Sequence, residues 1–201
     1  MFSAIARATL LVSALGTASE AHATVIRKMT VEQLTIASPL VVRGTVGAVQ
    51  VRWTADRTAI ATWAAVRVTD ALKGASANFI LVRQIGGQVG DVVHHIEGAA
   101  KFVEGEDVVL FLEPTPDESG VYVLYAMAAA KVTLAPNPFG ELRATRALEG
   151  LAEFDAQVEG LGRVRTRTSI DDLGSVPTFL ARVKSSAKGV PLKRKVTGAS
   201  R

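Results

Sequence analysis

Leu40-Val41-Val42-Arg43-Gly44-Thr45-Val46-Gly47-Ala48-Val49-Gln50-Val51-Arg52-Trp53, a polar break at Ala55-Asp56-Arg57-Thr58, and then Ile60-Ala61-Thr62-Trp63-Ala64-Ala65-Val66-Arg67-Val68-Thr69 decide the fold. In the first run Leu40, Val42, Gly44 and Val46 share one face at a period of two, whereas from Val49 the apolar face is Val49, Val51 and Trp53. A parity switch near Gly47 is the mark of a β-bulge, in which one extra residue re-aims the strand and glycine tolerates the bend. In the second run Ile60, Thr62, Ala64, Val66 and Val68 lie opposite Trp63, Arg67 and Thr69, the pattern of a half-buried antiparallel strand.

Before this pair, Thr30-Val31-Glu32-Gln33 has the form of a capping box. The short helix it opens ends at Ser38-Pro39, because a proline ring disfavours helical geometry at the residue before it. After the pair, short strands are expected at Phe79 to Ile85, Val92 to Ile96, Val108 to Leu112, Val121 to Met127 and Lys131 to Leu134. Gly86-Gly87, Gly98, Gly105 and the stretch from Pro114 to Gly120 punctuate them. Short strands at this spacing predict a mainly β fold: a small antiparallel OB-like β-barrel with a short N-terminal helix and a C-terminal helix. The unbroken apolar run Val108-Val109-Leu110-Phe111-Leu112 predicts a central strand covered on both faces.

From Glu141 the strand signal fades. Asp171 to Lys184 reads as a helix with Ser175 at its cap, Pro177 in its first turn, and Phe179, Leu180 and Val183 on the packed face. The stretch from Lys188 to Arg201 has too little apolar content to fold alone. The expected organisation is a signal peptide over 1–23, a barrel domain over 24–140, a C-terminal helical extension over 141–187 and a basic disordered tail over 188–201.

The signal is read from Arg7, from the apolar run Ala8 to Leu15, and from Ala21-His22-Ala23, a small-x-small cleavage site before Thr24. The apolar run falls well short of the roughly 20 residues that span a bilayer, so a cleaved export signal is preferred over a membrane anchor. Cleavage leaves 178 of the 201 residues, with Thr24 first, in a periplasmic or secreted protein with no membrane span. There is no cysteine, so the exported fold rests on its hydrophobic core rather than on disulfides, and thiol nucleophiles, iron–sulfur clusters and zinc fingers are excluded.

The formal charge of +4 is unevenly spread. From Arg182 onward there are seven basic residues and no acidic one, while Thr24 to Leu180 holds 15 basic and 18 acidic residues, a net of −3. The basicity belongs to the end of the chain. Polyanion binding is therefore placed on Lys188, Lys193, Arg194, Lys195 and Arg201.

The segments Ser38 to Val46, Val66-Arg67-Val68 through Leu72-Lys73-Gly74, Gly86-Gly87, and Phe102 to Leu112 resemble, in order and spacing, an exported bacterial OB-like barrel of the netrin and tissue-metalloproteinase-inhibitor type, sometimes found beside matrixin-like zinc peptidases. The resemblance covers about residues 30 to 135 and implies a fold more than a function. Such inhibitors place an N-terminal cysteine on the target's zinc, and this chain has none. Matrixin peptidases carry a His-Glu-x-x-His helix, and the histidines here are His22, His94 and His95.

No other motif rises above its structural alternative. His94 and His95 are adjacent on a strand, point to opposite faces and cannot close on one metal; one packed and one solvated imidazole is the expected outcome. Gly86-Gly87-Gln88-Val89-Gly90-Asp91 reads as a turn, not a phosphate cradle. Ser185-Ser186-Ala187-Lys188 has a Ser-x-x-Lys spacing without its partner elements. Glu104, Glu106 and Asp107, and Asp117 with Glu118, read as solvated turn carboxylates. Trp53 and Trp63 form an outward platform only if the register puts them on one face. The expected function is an exported non-enzymatic binding or accessory module with no cofactor, whose partner is another exported or envelope protein; the alternative is a polyanion binder that uses the basic tail.

Overall fold

The computed structural model describes residues 24–116, 118–154, 165–167 and 170–189. The signal expected at 1–23, Asp117 and the tail beyond Gly189 lie outside the described residues. In chain order the elements are β1 (Thr24–Arg27), α1 (Val31–Ala37), β2 (Leu40–Trp53), β3 (Ile60–Lys73), β4 (Phe79–Ile85), β5 (Gly87–Val89), β6 (Val92–His94), β7 (Asp107–Pro114), β8 (Val121–Leu124), a 3-10 turn at Met127–Ala130, β9 (Lys131–Pro136), β10 (Leu142–Ala147), β11 (Leu151–Phe154), β12 (Arg165–Arg167), β13 (Ile170–Ser175) and α2 (Val176–Ala187). The protein is mainly β with a short helix near each end.

Helix α1 opens as its residues dictate. The Thr30 hydroxyl accepts from Gln33 N at 3.2 Å, and Gln33 Oε1 accepts from Thr30 N at 2.9 Å. Its C-terminal carbonyls are met by a side chain from another element: Lys73 Nζ donates to the carbonyls of Thr35, Ile36 and Ser38, each at 2.8 Å. An ammonium at this place complements the negative end of the helix. Burial pushes Lys73 below the ordinary lysine pKa.

Strands β2 and β3 form one long hairpin whose register shifts three times, at Val41/Val42, Arg43/Gly44 and Val46/Val49. The last shift is the bulge expected at Gly47. At Gly44 the strands approach so closely that a Cβ would sit 2.5 Å from Arg67 O, which no larger residue can accept unless the backbone moves. The even-numbered side of β3 faces the barrel interior, where Ala64 and Val66 pack with Val42, Val46, Ile80, Val82, Val108, Leu110 and Leu112.

Five strands close a ring in the order β7-β2-β3-β4-β8, with β8 returning to β7 through Leu112↔Leu124, Glu113↔Val123 and Pro114↔Tyr122. This is the five-stranded Greek-key arrangement of an OB-like barrel. It departs from the expected small antiparallel barrel in two ways. Strands β4 and β8 pair in parallel. The ring also forks: the first half of β7 pairs with β9 while its second half pairs with β8, so the sheet continues through β9, β10 and β13 to eight strands. The fork explains Val108-Val109-Leu110-Phe111-Leu112, all 0% exposed, with the barrel core on one side and the helices on the other.

The same fork corrects the reading of the chain past Glu141. Strands β10 and β13 belong to the barrel's own sheet, and β11 joins β1 and β12 in a small second sheet, so residues 141–187 are not a purely helical extension. The helix expected from Asp171 begins at Val176, after a strand that pairs with β10. Alternation in β10 is hard to see because its inward residues are Ala144 and Arg146. Arg146 is buried only because Asp171 accepts from it at 2.9 Å and Met29 O at 3.2 Å. Phe179 and Val183 of α2 do pack as expected, against Val31, Leu34, Val41, Leu72, Val109 and Phe111.

Candidate functional site

The two helices, β9 and β10 cover one stretch of the barrel's outer wall and leave another bare. On the bare stretch the register lines up Arg52 with Ala61 and Ile85, Gln50 with Trp63 and Arg83, and Thr45 with Arg67 and Phe79. Residues opposite one another across a ladder share a face. Within β2, β3 and β4 no carboxylate stands on these rows; the Thr45 row continues across β7 to Asp107, which Arg43 holds. Ala61, Trp63, Leu81 and Val121 form a small apolar cluster on the outside of the wall. Its cover is two guanidiniums: Arg52 lies 4.4 Å and Arg83 5.6 Å from the centre of the Trp63 ring. Trp63 is thereby only 6% exposed, and its Nε1 has no hydrogen-bond partner among the described residues. Phe79, at the far end of the rows, is 67% exposed.

The pairing of charges separates this face from the rest of the molecule. Elsewhere Arg43 is held by Asp107 at 2.6 Å, Lys131 by Glu106 at 2.7 Å, Arg143 by Asp172 at 2.7 Å, Arg182 by Glu32 at 2.8 Å and Lys184 by Asp70 at 2.9 Å. Setting aside Arg27 and Lys188 at the two ends, the described cationic side chains that lack a carboxylate or carbonyl partner are Arg52, Arg57 and Arg67, all on the β2–β3 hairpin. Arg57 stands at its tip with φ 57°, in a turn tied by Asp56 to the Thr54 and Thr58 hydroxyls. Those hydrogen bonds, Thr54's first, hold the Asp56 carboxyl below its ordinary pKa. Arg83, by contrast, is engaged: it pairs with Glu118 at 3.7 Å and makes a further interaction besides.

A second concavity, of about 500 Å³, lies between residues 95–101 and strands β9 and β10. The pair Lys131–Glu106 and the facing hydroxyls of Thr133 and Thr145 lie along it, and Lys101 and Glu149 meet across its rim at 3.4 Å.

The carboxylates read as solvated turn residues are largely engaged. Asp107 takes Arg43 at both oxygens, Glu106 takes Lys131, and Glu104 accepts from Val49 N at 3.0 Å. Each ties the turn before β7 to a neighbouring element, a pairing that depends on strand register and is invisible in sequence. The histidines divide as expected. His94 Nδ1 accepts from Ile60 N at 3.1 Å and its ring stands edge-on to Trp53 at 5.7 Å. His95 is largely exposed and, among the described residues, meets Glu97 at 2.8 Å. Among the described residues no group of three or more His, Cys, Asp or Glu is placed to hold a metal.

Trp53 pairs with Ile60 and Trp63 with Gln50, so the tryptophans occupy opposite faces and make no common platform. Gly86 leads into the hairpin of β5 and β6, whose turn is Gly90-Asp91. In the Ser-x-x-Lys segment, Ser186 Oγ donates to Arg182 O at 2.9 Å inside α2. Of the cations assigned to polyanion binding, Lys188 is exposed at the end of α2, while Lys193, Arg194, Lys195 and Arg201 lie outside the described residues.

The chain matches no known family model. No curated protein matches it either. The site is thus defined by its own geometry. The sequence reading missed the arginine face because Arg52, Arg67 and Arg83 are scattered along three strands; alternation places each on an outward position, but only register brings them together.

Proposed function

We infer that this chain is an exported binding module without catalytic chemistry, and that its contact surface is the outer face of β2, β3 and β4. One observation carries the reading: Arg52, Arg57 and Arg67, which have no carboxylate partner among the described residues, lie along one hairpin, and Arg52 covers the Trp63 cluster on its outer face. Cations without an internal partner on an outward strand face suit a partner surface of opposite charge. Export, to the periplasm or the medium, rests on Arg7, the apolar run after it and Ala21-His22-Ala23. No described helix is long and apolar enough to cross a membrane. The resemblance to exported barrels of the netrin and metalloproteinase-inhibitor type supports an accessory role for another exported or envelope protein.

The test is affinity capture from envelope and culture-fluid fractions with the full chain and with an Ala65→Glu variant, which puts a carboxylate in the middle of the face. A partner held by the first and lost by the second supports the reading. A partner held equally by both removes the face from it, and hydrolytic activity lost on His95→Ala overturns its non-enzymatic part. The second reading, polyanion binding, is favoured by the charge of the same face and does not require the tail.

A further inference from the structure

Resting on the binding-module reading, we propose that the β2–β3–β4 face is a track for a linear anionic polysaccharide, gripped by Arg57, Arg52 and Arg67 in that order from the hairpin tip. Arg57 lies in the tip turn, Arg52 and Arg83 flank Trp63 from the two neighbouring strands, and Arg67 lies four residues further along β3. From Ile60 to Arg67 the strand runs roughly 23 Å, at about 3.3 Å per residue. The cations therefore form a line and not a cluster, which suits a chain with repeated anions better than one compact anion.

The stacking explains why the grip is pre-formed. A guanidinium over an indole face keeps its N–H donors in its own plane, with the edges directed away from the ring, and is restrained before any ligand arrives. Less side-chain freedom is then lost on binding. The face also selects among polyanions. Single-stranded nucleic acid is held by stacking bases on exposed aromatic rings. Here Trp63 is 6% exposed under two arginines, and Phe79 is the one open ring on these rows. A polymer that offers charge without flat bases fits better, and the expected export puts the protein where such polysaccharides occur.

The experiment is a fluorescence-anisotropy titration of labelled dextran sulfate with the full chain over a series of salt concentrations. It is repeated with Arg52→Ala/Arg57→Ala/Arg67→Ala and with a tail variant in which Lys188, Lys193, Arg194, Lys195 and Arg201 are serine; unfolding midpoints check that each variant is folded. The expected result is salt-sensitive binding to dextran sulfate and none to neutral dextran. The face variant should lose about three from the log–log salt slope, one per cation, while the tail variant keeps those three. An unchanged slope in the face variant, or binding abolished by the tail variant alone, overturns the proposal. Tighter binding of single-stranded DNA, or of phosphatidylglycerol vesicles, than of dextran sulfate overturns the choice of polymer. If no polyanion binds but capture still yields a partner lost on Ala65→Glu, the track is wrong and the binding module stands; if neither occurs, both fall.

Discussion

The two ends of the β2–β3 hairpin carry similar numbers of cations and treat them in opposite ways. At the helical end Arg43 is clasped by Asp107, Lys184 reaches from α2 to Asp70, and the three donors of Lys73 end on three carbonyls of α1 and its cap. At the free end Arg52 and Arg57, and midway along β3 Arg67, have no such partner among the described residues, and Arg52 rests on an indole instead. The first group completes the fold; the second is available to something outside it. Substitutions at the helical end should therefore change stability, and those at the free end should change binding.

The largest effect is expected where the helices close over the sheet. Phe179→Ala empties a site that is 0% exposed among Val31, Leu34 and Phe111 and should cost about 3–5 kcal/mol, read from urea unfolding. A loss under 1 kcal/mol would mean that α2 is not part of the core. Next, Lys73→Met strips the three hydrogen bonds from the end of α1 and should cost about 1.5–3 kcal/mol. Gly44→Ala, forced against Arg67 O, should cost about 1–3 kcal/mol, and an unaltered midpoint would show that the strands are further apart than described.

Acid sharpens the contrast. The Arg182 hydrogen bond holds the Glu32 carboxyl below its ordinary value and so links α1 to α2, and Arg143 does the same for Asp172 between β10 and β13. A carboxyl whose folded pKa is depressed stabilises fully above its unfolded pKa and loses that contribution as pH falls through the folded value. Stability should therefore decline below the ordinary carboxylate range, and Glu32→Gln should flatten part of that decline. Both groups are solvent-accessible, so the effect is small and shrinks with salt. The smallest effect on stability is expected from Arg57→Ala and Arg67→Ala, each within about 0.5 kcal/mol of zero. Arg52→Ala, which also uncovers Trp63, should cost about 0.5–1 kcal/mol.

Local signals were legible and non-local ones were not. Thr30 and Gln33 announced α1, Pro39 ended it, Gly47 announced the bulge, and the unbroken run at Val108 announced a doubly covered strand, because each depends on neighbours in sequence. Strand β10 was hidden by a small residue and a paired arginine on its inward side, and β13 by a following helix cap that drew the predicted helix start forward. The acidic turn before β7 looked solvated because Arg43 and Lys131, its partners, arrive from distant strands. The arginine face was hidden for the same reason, whereas the conspicuous run of cations at the C-terminus could be seen without any structure.

The most direct measurement follows the arginine Nε–Hε signals by NMR as dextran sulfate is added to the full chain. The account predicts that Arg52, Arg57 and Arg67 shift together, while Arg43, Arg143, Arg146 and Arg182, already held by carboxylates, stay in place. Shifts confined to the second group, or to Arg194 and Arg201, would contradict it.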